Sequence, residues 1–233
     1  MIFGGFQKLT LLDYPGKVAC TVFTKGCNFL CPFCHNSFLV NEIERADEIS
    51  SEEILSYLKK RVGILEGVCI TGGEPLLHKE LEDFLREVKK IGYFVKLDTN
   101  GSFPERLKDL VNKGLIDYVA MDIKNSFEKY EKTAGWKKGD LSKISESIDF
   151  LINGDIDYEF RTTVVEEFHT EEDIEKIAEK LKGAKKYFLQ NFTDSGNVIE
   201  ENLHPVSKEK LQKMKEKARQ TLENTMIRGE FGK

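Results

Sequence analysis

Three cysteines, Cys27, Cys31 and Cys34, stand as C-x3-C-x2-C in the segment KGCNFLCPFCHN. Thiolates crowded on one short loop are soft donors, well suited to the iron of an iron–sulfur cluster and poorly suited to hard cations. A cubane has one more iron than this loop has cysteines, and a fourth cysteine usually completes it. Left without that cysteine, one iron can take a small molecule, by the open-position logic that separates catalytic from structural zinc. The other cysteines, Cys20 and Cys69, lie inside the apolar runs VACTVFT and GVCIT, where a free cysteine behaves as a small buried hydrophobe.

Rival chemistries use the same residues. Cys31-Pro32-Phe33-Cys34-His35 matches the C-x-x-C-H string of haem attachment, and C-P-x-C matches a thioredoxin-like redox pair. Haem attachment of that type requires export, and the opening MIFGGFQKLTLLDYPGK has no charged n-region, apolar h-region or small-residue cleavage site. A thioredoxin-like pair gives no purpose to Cys27 or to the later TGGEP segment, Thr71 to Pro75. A Cys3His zinc site using His35 is sterically awkward, because neighbouring ligands are ordinarily two or more residues apart.

The string GCNFLCPFCHN, with an aromatic just before its last cysteine, together with TGGEP, resembles the radical S-adenosylmethionine superfamily. Over about residues 11–192, the stretches LLDYPGKVACTVFTKGCNFLCPFCHN, KLDTNGS, YVAMDIK and EFRTTVV resemble the activating enzymes of glycyl radical enzymes, most of all the anaerobic ribonucleoside-triphosphate reductase activating proteins. One departure stands out: Asp13-Tyr14-Pro15-Gly16 replaces the D-G-P-G string of the better-known members.

The resemblance implies one [4Fe-4S] cluster on Cys27, Cys31 and Cys34, S-adenosylmethionine bound at the open iron, and a radical installed on a glycine of a partner reductase. A flavodoxin or ferredoxin would supply the electron. It also implies that TGGEP contacts the methionine amino group. Gly72 and Gly73 would let the backbone approach a ligand closely, and Glu74 would pair with the ammonium, although a capping or surface role is the ordinary one for a lone glutamate. Phe33 resembles an aromatic that packs near adenine, against the ordinary reading of a core phenylalanine; His35 is grouped with it as cofactor-binding. Asp98 interrupts an apolar run and needs a cation, a donor or water. By resemblance Asp98, Thr99 and Asp122 form a monovalent cation site, and oxygen ligands suit a hard cation. Asn100 is a further cofactor-binding candidate, with a simple Asn-Gly turn as the alternative. Lys124 and Arg161 match positions near the nucleoside or carboxylate, an arginine being able to grip a carboxylate with two bonds; surface ion pairs are the alternative. Gln190 and Asn191 are candidates for contact with adenine.

Other readings stay open. The chain could activate a different glycyl radical enzyme such as pyruvate formate-lyase, or act on a small molecule as deazapurine-forming synthases do, since fold does not dictate function. A non-enzymatic cluster module for binding or electron transfer is the third.

Short apolar runs alternate with amphipathic stretches. The predicted strands are Val18 to Thr24, Gly67 to Thr71, Phe94 to Thr99, Tyr118 to Ile123, Asp157 to Val165 and Lys186 to Gln190. The predicted helices are Ser51 to Arg61, Lys79 to Ile91, Pro104 to Lys113, Leu141 to Asn153, Thr170 to Lys182 and Ser207 to Leu222. Ser50 and Thr170 precede acidic first turns, a helix-start signature. Alternation of this kind means parallel strands joined by right-handed crossovers. With the resemblance it implies a partial (β/α)6 barrel open on one side, carrying its chemistry at the carboxyl ends of the strands and offering the open side to a protein substrate.

With 233 residues, 40% hydrophobic content and 16 phenylalanines, a single domain over 1–233 is expected, its core at about 11–192 and a closing helix at about 207–222. The net charge of −5 argues against a nucleic-acid binder, which would carry a basic patch or stripe. No apolar stretch reaches the length of a membrane span, and five cysteines without a secretory signature favour reduced thiols; a cytoplasmic protein is expected. The closing Arg228-Gly229-Glu230-Phe231-Gly232 reads as a frayed end.

Overall fold

The computed structural model describes residues 1–194 and 196–228; the tail residues Gly229 to Gly232 lie outside the described residues. The chain gathers into two compact units that interleave in sequence. The first comprises 1–28, 38–120 and 155–157, and the second 29–37, 121–154 and 158 onward.

In chain order the elements are β1 (Ile2–Phe3), β2 (Gly5–Thr10), β3 (Ala19–Thr24), β4 (Ile49–Ser50), α1 (Ser51–Lys59), β5 (Gly67–Gly72), α2 (Leu81–Ile91), β6 (Phe94–Thr99), α3 (Pro104–Asn112), β7 (Tyr118–Asp122), α4 (Tyr130–Ala134), α5 (Leu141–Asn153), β8 (Asp157–Val164), α6 (Glu171–Lys180), β9 (Tyr187–Asn191), α7 (Lys208–Arg219) and β10 (Thr225–Ile227).

The strands of the first unit run in the order β2-β3-β5-β6, with the start of β7 beside β6. β3, β5 and β6 are parallel, and β2 is added antiparallel at the edge. Val22, Val68, Ile70, Val95 and Leu97 are wholly buried. Continuous apolar runs of this kind mark strands covered on both faces, as a parallel sheet requires. β1 and β4 make a separate antiparallel pair. In the second unit the end of β7, then β8, β9 and β10 follow in order, the last three parallel. The strands are mainly parallel and the sheet is open, in keeping with the partial (β/α)6 barrel open on one side that the resemblance implied.

The helices start where the capping chemistry placed them. The Ser50 hydroxyl accepts from Glu53 N–H, and Thr170 and Asp173 form a reciprocal capping box at α6. α2 buries Leu81, Phe84, Leu85 and Val88, the i, i+3, i+4, i+7 stripe of a helix lying on a sheet. Four strands and one helix were not foreseen. β2 carries Gln7 and Lys8 and lies at an edge, β1, β4 and β10 have two or three residues each, and α4 is a single turn and a half.

The tyrosine that departs from D-G-P-G has a packing explanation. Tyr14 is buried against Tyr118, with ring centroids 6.0 Å apart, and a Cβ on Gly67 would stand 2.8 Å from its ring. The phenol fills space over the glycine that opens β5.

Thr170→Ala removes one half of the capping box and should cost about 1 kcal/mol, a fall in melting temperature of roughly 2–4 °C for a chain of this size. Thermal unfolding of the cluster-free protein checks it.

Candidate cluster and cofactor site

The site's first component is built at the carboxyl ends of β3, β5 and β6. Thr24 pairs with Gly72; beyond them Gly73 N–H donates to the Thr24 carbonyl and Glu74 N–H to the Gly26 carbonyl, each at 2.9 Å. A Cβ on Gly73 would stand 1.9 Å from the Gly26 oxygen, and one on Gly72, at φ 110°, would stand 2.4 Å from the Thr24 nitrogen. This contact of two backbones just ahead of Cys27 demands glycine at both Gly72 and Gly73.

Glu74 is 1% exposed. Its Oε1 accepts from Leu76 N–H at 3.0 Å and from the Thr99 hydroxyl at 2.9 Å, and its Oε2 accepts from Asn100 N–H at 2.7 Å. The Glu74 carboxylate braces the turn after β5 against the end of β6.

Asn100 follows that brace. Its side-chain amide donates to Asn28 Oδ1 at 2.9 Å and lies 3.8 Å from Cys27 Sγ, while its Oδ1 accepts from Ser102 N–H at 2.9 Å and from the Ser102 hydroxyl at 2.6 Å. The Asn-Gly turn is present, and its asparagine also fixes the loop around the first cysteine. Thr99 Oγ1, besides donating to Glu74, accepts from Gly101 N–H at 3.1 Å. Asp98 is ion-paired with Lys96 and accepts from the Thr71 hydroxyl at 3.3 Å.

The second unit holds the rest of the cysteine loop. Cys34 N–H donates to the Cys31 carbonyl at 3.0 Å, and Leu30 N–H donates to the carbonyl of Ala134, the last residue of α4, also at 3.0 Å. The Cys31 thiol lies 3.5 Å from the same carbonyl. A Cβ on Gly135, at φ 60°, would stand 2.1 Å from the Leu30 oxygen, so this helix end fits the loop only with glycine after it. On the other side the Pro32 carbonyl accepts from Ile199 and Glu200 N–H at 3.1 and 2.9 Å, and the Ser37 hydroxyl donates to the Asn197 carbonyl at 2.6 Å. His35 bonds to the Thr193 carbonyl through Nε2 at 2.8 Å and stacks on Phe192, with centroids 5.5 Å apart and ring planes 8° from parallel. Phe33 is buried against Phe168 and His169. Both residues pack within the second unit.

Asp122, at the end of β7, takes Arg161 Nε on Oδ1 at 2.8 Å and Lys124 Nζ on Oδ2 at 3.1 Å. Burial alone would raise its carboxyl, but the two cations outweigh burial and hold it well below the usual carboxylate range. Burial pushes the Cys31 thiol up to about 11 against the pull of Lys124, and pushes Cys34 up as well. Asn191 exchanges two bonds with the backbone of Val206, at 2.9 and 3.1 Å; Gln190 is half-buried on β9 beside Thr163. Asp122, Lys124 and Arg161 thus form a half-buried ion-pair triad, and Asn191 clamps the segment at Val206.

Sequence reasoning passed over two residues here. His169 is buried, and desolvation depresses its pKa, so the ring is neutral. Its Nδ1 accepts from Val165 N–H at 3.1 Å, which leaves the proton on Nε2, donated to the Lys124 carbonyl at 2.8 Å. Tyr130 is fully buried, and its hydroxyl has no hydrogen-bond partner among the described residues. No pattern in the sequence marks either.

Among the described residues no three Cys, His, Asp or Glu side chains are gathered as a ready-made metal centre. The donor set nonetheless fits a cluster: soft thiols, on a loop bonded along its length. An orphaned phenol donor sits on α4, the helix that receives the loop. Metal binding that expels thiol protons and completes local order is the ordinary coupling for such a site.

The profile of the radical SAM superfamily matches residues 21–181, from β3 to the end of α6. The chain belongs to the radical SAM superfamily. A full-length relative from Methanocaldococcus jannaschii, assigned as a glycyl-radical enzyme activating enzyme, is 34% identical, with 97% of this chain and 95% of that one covered. A GTP 3′,8-cyclase of Helicobacter pylori is 31% identical over 72% of this chain and 51% of its own. Among solved structures, a domain of a pyruvate-formate lyase-activating enzyme from Bacteroides vulgatus aligns with a TM-score of 0.58 at 21% identity, covering 70% of this chain and 99% of that one. Streptococcus suis SuiB bound to its precursor peptide aligns at 0.70 and 14% identity, over 90% and 48%. Membership of the superfamily implies the [4Fe-4S] cluster and S-adenosylmethionine.

Glu74→Gln places an amide NH2 among three donors and should destabilise the cluster-free protein by roughly 1–3 kcal/mol. Denaturant unfolding without iron checks it; equal stability would mean that the carboxylate braces nothing.

Proposed function

We propose that the protein reductively cleaves S-adenosylmethionine and installs a glycyl radical on a partner enzyme, with an anaerobic ribonucleoside-triphosphate reductase as that partner and a flavodoxin or ferredoxin as electron donor. The full-length similarity to an assigned glycyl-radical enzyme activating enzyme carries the reading; the partner within that class rests on the resemblance of the stretches around the cysteine loop, KLDTNGS and YVAMDIK. The similarity to GTP 3′,8-cyclases favours a small-molecule substrate as the second reading, but those matches span about half of the relative's length.

When bound, the cluster supplies the electron that splits the sulfonium into methionine and a 5′-deoxyadenosyl radical, the agent of hydrogen abstraction. Cys27, Cys31 and Cys34 would hold it, leaving one iron open. Lys124 and Arg161 bring two positive charges to one carboxylate, Asp122. That leaves a net cationic surface suited to an anionic group such as an amino-acid carboxylate. Asn100 presents its amide to Cys27, and hydrogen bonds to sulfur tune a cluster's potential. None of these side chains is asked to move a proton: the chain positions and the cofactors react.

After anaerobic loading with iron and sulfide, the protein with reductant and S-adenosylmethionine should form 5′-deoxyadenosine. With the partner reductase added, a glycyl radical should appear in its electron paramagnetic resonance spectrum. Cys31→Ala should abolish both. Turnover retained in Cys31→Ala overturns the cluster assignment. Cleavage with no radical on any glycyl radical enzyme favours the small-molecule reading.

A further inference from the structure

Lys96 lies within β6 and is 1% exposed. The register pairs it with Cys69 on β5, and Nζ stands 3.8 Å from that sulfur. Two residues along the same face, Asp98 forms the ion pair with Lys96 and accepts from Thr71 of β5. One face of β5 and β6 therefore carries a polar row, Cys69, Thr71, Lys96 and Asp98, among the wholly buried Val68, Ile70, Val95 and Leu97 of the other face.

Burying an ammonium costs several kcal/mol unless a partner is held in good geometry, and removing one member of such a pair strands the other charge. The position of Lys96 within the strand is thus explained by Asp98. The two oxygen-bearing side chains of this strand that resemblance assigns to a monovalent cation are accordingly engaged already. Asp98 meets the ammonium, and Thr99 turns its hydroxyl proton to Glu74 while its oxygen accepts from Gly101 N–H. In the second unit Asp122 holds Lys124 and Arg161. These donors do not fit a dissociable alkali ion.

We propose that the Lys96 ammonium is the built-in cation of Asp98, and that this chain therefore holds its strand-end carboxylate without a sodium or potassium ion. Lys96 acts through Asp98 and is a positioning residue. The inference rests on the proposed adenosylmethionine chemistry only for its second readout.

The first readout is thermal unfolding of the cluster-free protein in sodium, potassium or tetramethylammonium chloride at equal ionic strength. The parent should melt at the same temperature in sodium, potassium and tetramethylammonium once the Asp98→Asn control is subtracted. Lys96→Met should lose roughly 10 °C in tetramethylammonium and recover part of it in sodium or potassium. Lys96→Met/Asp98→Asn, which removes both charges, should melt close to the parent in all three salts. Alkali-ion stabilisation of the parent that Asp98→Asn abolishes would overturn the proposal, as would a Lys96→Met protein as stable as the parent in every salt. The second readout is 5′-deoxyadenosine formation by the loaded parent, expected to vary less than twofold among the three salts; a tenfold dependence on sodium or potassium also overturns it. Absence of product in every salt would instead strike the proposed activity and leave the melting test to decide the role of Lys96.

Discussion

The buried carboxylate of Glu74 is the interaction on which the first half of the site depends. Strand ends in a parallel sheet leave backbone N–H groups unpaired, and an unsatisfied buried donor costs on the order of 1–3 kcal/mol. Glu74 takes Leu76 N–H, Asn100 N–H and the Thr99 hydroxyl, which ties the turn after β5 to the end of β6. Asn100, so fixed, brings its amide to Asn28 and Cys27. The glycines before Glu74 let that turn lie on the backbone of Thr24 and Gly26. Replace the carboxylate and these three donors lose their common acceptor.

The other end of the cysteine loop is held by different means. There the carbonyl of Ala134 receives Leu30, the segment around Ile199 bonds Pro32, and His35 is gripped by a carbonyl and a ring. Most of these bonds fall on backbone atoms, which leaves the thiols of Cys31 and Cys34 available to iron. Close by in the sequence, the Asp122 triad keeps two cations beside one carboxylate. Charges paired in this way are fixed in place by the fold.

The chemistry was legible in the sequence because soft ligands at short spacing are local, and so was the sheet, because doubly covered strands are written as unbroken apolar runs. Ser50 and Thr170 announced their helices through local capping. The contacts of Glu74 with Thr99 and of Lys96 with Cys69 were not legible, since they depend on which residue of β5 stands beside which residue of β6, and strand register is set by tertiary packing; the partners of Asn100 lie on the cysteine loop and its own turn. The Lys96 of KLDTNGS reads as an ordinary charged residue until the register sets it against Cys69. Likewise the tyrosine in Asp13-Tyr14-Pro15-Gly16 stands in the sequence only as a departure from D-G-P-G, and in the fold it covers Gly67. β2 and β10 escaped because edge strands of mixed or very short sequence carry little periodicity.

The central claim is a cluster with one iron open to S-adenosylmethionine. Electron paramagnetic resonance of the reduced, reconstituted protein, recorded with and without S-adenosylmethionine, tests it most directly. The account predicts a [4Fe-4S] signal whose g-values shift when S-adenosylmethionine is added, as its amino and carboxylate groups bind the open iron. A fully loaded cluster whose spectrum is the same in both samples would contradict it.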